Sequence, residues 1–86
     1  MYLVIVYDVN INRVSKVNKF LKTYLHWQQN SVFEGSVTKA QYNEIMLSLE
    51  DIVDRDEDSI IVYKFPKKYL DKKIIGIEKN PITFII

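Results

Sequence analysis

Tyr2-Leu3-Val4-Ile5-Val6-Tyr7 is an unbroken run of aliphatic and aromatic residues, most of them β-branched or ring-bearing. Without polar alternation, a run of this length reads as a central strand buried on both faces. Asp8 ends it. Aspartate is disfavoured inside strands, so a carboxylate closing a central strand either serves a local chemical need or caps the next element.

The pattern then changes period. After the short loop Asn10-Ile11-Asn12, Val14, Val17, Leu21 and Tyr24 fall on one helical stripe between Arg13 and Leu25. Arg13, Lys16, Lys19 and Lys22 form a basic stripe on the more exposed side. From His26 to Gly35 the period returns to two, as one strand or a bent pair continuing to about Val37, with Gly35 marking a turn or bulge. Thr38 and Gln41 have capping-box spacing and open a second helix, with Tyr42, Ile45, Met46, Leu49, Ile52 and Val53 on its apolar face. Asp54-Arg55-Asp56-Glu57-Asp58 lacks the ligand spacing and glycine of a calcium loop and reads as a solvated turn. Ser59 to Phe65 is the next strand, ended by Pro66. Ile74-Ile75-Gly76-Ile77 reads as another short strand, and Ile82 to Ile86 as a strand-like tail after the Asn80-Pro81 break.

Strand, helix, strand, helix, strand is the order of a split βαβ sheet with both helices on one face. This is an α+β, ferredoxin-like sandwich. The 86 residues make one domain, 1–86, too small to bury much surface alone. With no cysteine, disulfides and thiolate metal sites are excluded, so a homodimer is the expected source of extra burial. The lack of cysteine and of a secretory signal fits a reducing, cytoplasmic setting. No apolar run approaches the ~20 residues that span a bilayer, so no membrane association is expected.

The net charge is only +1, but it is unevenly spread. Residues 1–39 carry five basic and two acidic side chains, 40–58 one and seven, and 59–86 six and two. Basic segments sharing a face would attract phosphates. Lys64, Lys67 and Lys68 are secondary candidates beside the first-helix stripe. Two glycines exclude a glycine-rich phosphate loop, and the single histidine, His26, has no triad around it.

Tyr7-Asp8 closing the first strand, Arg13 opening the helix, and Gln29-Asn30-Ser31-Val32-Phe33-Glu34-Gly35 together resemble the CRISPR-associated protein two family. This is the small subunit of the spacer-acquisition machinery. The acidic turn before Ser59-Ile60-Ile61-Val62-Tyr63 and the Ile75-Gly76 pair also fit in order. The resemblance implies a homodimer that partners the CRISPR integrase and acts on nucleic acid, RNA or duplex DNA. It implies a divalent-metal-dependent endonuclease, with Mg²⁺ or a similar ion held by Asp8. It also implies a bridging role in which the dimer holds DNA for integration. Tyr7, Asn10, Ser31 and Phe33 are supporting candidates; Asn10 stands where the family often has a second acid. The tail, 82–86, is expected to add a strand to the partner's sheet. The rival readings are a non-catalytic DNA-binding scaffold and a toxin-like ribonuclease of related fold.

Overall fold

The computed structural model describes residues 1–67 and 71–80. The expectations placed on Lys68 and the tail lie outside these. The elements are β1 (Tyr2–Asp8), α1 (Ile11–Leu21), β2 (His26–Gln29), β3 (Val32–Ser36), α2 (Lys39–Ile52) and β4 (Ser59–Phe65). The strands form one sheet in the order β2-β3-β1-β4, antiparallel throughout, the ferredoxin-like arrangement expected.

Strand alternation decides which face is packed. Leu3, Ile5 and Tyr7 of β1 and Phe33 of β3 enter one core with Val17 and Leu21 of α1 and with Ile45 and Leu49 of α2. Both helices therefore cover the same face. The intervening β1 residues Val4 and Val6 point to the other face and are only half-buried. So the apolar run does make the central strand, but within one chain only one of its faces is fully covered.

Local chemistry sets the boundaries. Helix α1 begins at Ile11, ahead of Arg13, because Asn10 caps it: Asn12 N–H donates to Asn10 Oδ1 at 2.9 Å. The period-two stretch is a hairpin, β2 and β3, turning at Asn30, whose φ of 43° suits asparagine. Trp27 Nε1–H donates to Asn30 O across this turn at 2.8 Å. A bulge lies between Trp27 and Gln29. Gly35 is neither turn nor bulge but lies inside β3, where an added Cβ would stand 3.1 Å from Leu25 Cδ2. The Thr38 capping box forms as expected, with both reciprocal bonds present. Ile74–Ile77 is not a strand; Gly76 takes a φ of 95° and the isoleucines are exposed.

Candidate functional site

Asp8 is the last residue of β1, in register with Ser59 at the start of β4. Alternation sends it to the open face with Val4 and Val6, away from the helices. Ile61 and Tyr63 of β4, opposite Val6 and Val4 on that face, are 49% and 51% exposed. Asp8 is exposed, and among the described residues nothing hydrogen-bonds or pairs with its carboxylate.

The backbone beyond Asp8, by contrast, is tied down. Asp58 Oδ1 accepts Asn10 N–H at 2.8 Å, and Oδ2 accepts Asp54 N–H at 2.9 Å. Arg13 Nε donates to Oδ2 at 2.6 Å, and Arg13 Nη2 reaches Glu57 Oε2 at 2.6 Å. The Asp58 side chain is 0% exposed, and Arg13 beside it holds its carboxyl well below the ordinary range. In turn the two carboxylates raise the Arg13 guanidinium further above its usual value, Asp58 more than Glu57. A free carboxylate thus sits on a fixed backbone, between a central strand and a clamped loop.

The other candidates have distinct places. Tyr7 and Phe33 face the helices, their rings stacked with centroids 6.2 Å apart. The Tyr7 hydroxyl donates to Asn18 Oδ1. Burial pushes its phenol pKa up, partly countered by a hydrogen bond with Ser31. Ser31 also accepts Tyr7 N–H through its backbone oxygen at 3.1 Å. These three brace the strand end from behind and are not brought to the Asp8 face. Asn10 has its amide oxygen engaged in the α1 cap. Of the basic stripe, Lys16, Lys19 and Lys22 are exposed, whereas Arg13 is committed to the acidic turn. Lys64 lies over the Tyr42 ring at 4.7 Å, and Lys67 is exposed.

Periodicity did not identify Asp58, read above as part of a solvated turn. The available signal was its spacing four residues after Asp54, which closes a compact loop. Glu34, also on the open face, was not singled out by chemistry. Its side chain is 8% exposed and accepts from Lys72 Nζ at 2.7 Å. Burial, then Glu34's hydrogen bond and charge, push the Tyr2 phenol up to about 12.

The donor set bears directly on a metal. Among the described residues no cluster of three or more His, Cys, Asp or Glu side chains is placed to hold an ion. Among the described residues, the free carboxylate that one chain places on this face is that of Asp8. Magnesium accepts one or two carboxylates with water filling its remaining positions, so Asp8 fits such an ion, and a second copy of the chain would add the second carboxylate.

A family model described as CRISPR associated protein Cas2 matches residues 1–73. The chain belongs to the Cas2 family. It is 54% identical to the CRISPR-associated endoribonuclease Cas2 of Methanocaldococcus jannaschii, an alignment covering 100% of this chain and 76% of that protein. It is 48% identical to the protein of the same name from Thermococcus kodakarensis, with 100% of both chains covered. A Cas2 crystal structure superposes with a TM-score of 0.87 at 51% identity, covering 100% of this chain and 98% of that one. The Streptococcus pyogenes Cas2 structure gives 0.73 at 37% identity over 80% of this chain and 90% of its own. Among the described residues, no helix is long and apolar enough to cross a membrane.

Proposed function

We propose that this Cas2 protein acts in CRISPR adaptation as a homodimeric, divalent-metal-dependent endonuclease, with Asp8 of both subunits at its centre. The observation that carries this reading is the exposed Asp8 carboxylate on an anchored backbone, at the end of a half-covered apolar sheet face. Relatives named endoribonucleases support the reaction class. Pairing two open faces about a twofold axis would bury Val4, Val6, Ile61 and Tyr63 and draw the two Asp8 strand ends into a common zone. A Mg²⁺ ion held there by both carboxylates would polarise a phosphate oxygen and lower the pKa of bound water. Asp8 holds the ion, while the Asp58 clamp keeps the loop beside it in place. Lys16, Lys19 and Lys22 supply the cationic track for the phosphate backbone, in the cytoplasm where CRISPR nucleic acids are handled.

A second reading has its own support. A site with one acid per chain and no second acid at Asn10 suits a DNA-binding scaffold that bridges the CRISPR integrase without cutting. Incubating the purified protein with RNA and with duplex DNA, with and without magnesium, separates the two. Cleavage that requires magnesium and disappears in a folded Asp8→Asn variant supports the nuclease. Binding without cleavage supports the scaffold.

A further inference from the structure

Along the β2 edge, away from Asp8's face, a pocket of about 580 Å³ is lined by Asn18 of α1, Lys22 at the C-terminal cap of that helix, Leu25 just before β2, His26 and Trp27 of β2, Asn30 of the hairpin and Asn80. Its volume suits a small organic ligand. None of its lining residues is acidic, and Lys22 favours an anion. The remaining groups have complementary functions. Trp27 has spent its indole N–H on Asn30 O, so what it has left to offer a ligand is its ring. Asn18 has spent its oxygen on the Tyr7 hydroxyl, and among the described residues its amide N–H groups remain available. Asn80 has spent its amide nitrogen on Trp27 O at 2.6 Å, leaving its oxygen as an acceptor. One donor, one acceptor, an aromatic wall and a cation are the complement of a nucleobase carrying a phosphate.

Two further relationships place this pocket on a path. Lys22 is the last residue of the Lys16–Lys19–Lys22 stripe, so a phosphate backbone following α1 arrives there. Asn18 touches both the pocket and Tyr7, the residue before Asp8. We infer that the pocket holds one unpaired base of a single-stranded nucleic acid, with that nucleotide's phosphate against Lys22. This rests on the nucleic-acid reading above and gives it a base-recognition site separate from the metal site. Because α1 spans 11 residues at ~1.5 Å rise each, the pocket lies roughly one helix length along the stripe from the capped loop after Asp8.

Trp27 is the only tryptophan, so its fluorescence reports this pocket alone. The full-length protein is titrated with fluorescently labelled short DNA and RNA single strands and with a blunt DNA hairpin, following anisotropy for binding and Trp27 emission for occupancy. Single strands should change the emission saturably, in step with anisotropy, and the hairpin should not. Quenching by RNA alone would add a ribose hydroxyl contact, and quenching by both would assign base and phosphate; either supports the site. Asn18→Asp keeps an acceptor for Tyr7 but adds a negative charge, and should weaken single-strand binding at least about threefold while sparing the hairpin. His26→Glu, at an exposed position of β2 outside the lysine stripe, is the second variant should Asn18→Asp fold poorly, with the same selective loss expected. Single-strand binding with unchanged emission, or equal losses for strand and hairpin in the variants, overturns the pocket while leaving the nucleic-acid reading standing. No binding by any probe overturns both.

Discussion

The Arg13 guanidinium grips Asp58 across 45 positions of sequence, with Nε 2.6 Å from Oδ2 and Nη2 3.1 Å from Oδ1. The same carboxylate holds the backbone of Asn10 and Asp54, so one buried side chain joins the start of α1 to the turn before β4. Charge-assisted bonds of this fork geometry are the strong ones, and removing one partner leaves the other buried without its match.

This has a pH signature. Asp58's carboxyl is depressed in the folded protein relative to its ordinary 3.8. A depressed acid contributes stability that is fully present above the unfolded value and lost as pH falls towards the folded one. Thermal melts should therefore show the wild type losing stability as pH drops through about 4 and below. Asp58→Asn should melt lower at neutral pH and show a flatter acid limb. An acid limb unchanged by Asp58→Asn would assign the loss to other carboxylates.

Replacing Lys16, Lys19 and Lys22 together with glutamine should reduce the salt dependence of duplex DNA binding. Each lysine contact to a phosphate contributes about 0.9 to the slope of log K against log salt, so three lost contacts should remove up to about 2.7. Filter binding across a salt series measures it. Arg13 stands outside this set, because its charge is already answered by Asp58 and Glu57. A slope equal to wild type would place the phosphate track elsewhere.

The elements that local chemistry dictates were legible in advance: the apolar β1, the Thr38 capping box and the Ser59–Phe65 strand each follow from residues adjacent in sequence. So was the position of the Asp8 carboxylate at the end of β1, although its exposure was not. The Arg13–Asp58 pair was not legible, because a charge run looks the same whether its last member faces water or is buried by a long-range partner. Nor was the position of the hairpin turn. Gly35 drew attention as the flexible residue, yet Asn30 takes the left-handed φ while Gly35 serves close packing against Leu25. The Ile74–Ile77 segment has strand composition, but β composition forms a strand only where a neighbour supplies ladder bonds.

Ile61→Glu on β4 tests whether the open face is the dimer surface. Ile61 is half-exposed in the single chain and pairs with Val6 at the centre of the sheet. Burying a large aliphatic side chain is worth roughly 1.5–3 kcal/mol, and a carboxylate placed there meets its own copy across a twofold axis. Sedimentation should show the variant shifted towards monomer while its circular dichroism keeps the fold. A variant that remains dimeric would move the interface to another face.

A shared metal site makes a quantitative demand on mixed dimers. If each catalytic centre needs Asp8 from both subunits, a dimer with one Asp8→Asn subunit is inactive. If each subunit works alone, that dimer keeps half its activity. Wild-type and Asp8→Asn chains, unfolded together in equal amounts and refolded, assort into dimers at random. Shared sites then leave about one quarter of the wild-type rate, and independent sites about one half, by the statistics of a twofold assembly. The Asp8 carboxylate makes no hydrogen bond among the described residues, so the isosteric change should leave folding and subunit exchange unaltered. Magnesium-dependent cleavage measured across a series of mixing ratios distinguishes the two. A curve falling with the square of the wild-type fraction supports the paired carboxylates, and a straight line would show that one Asp8 suffices.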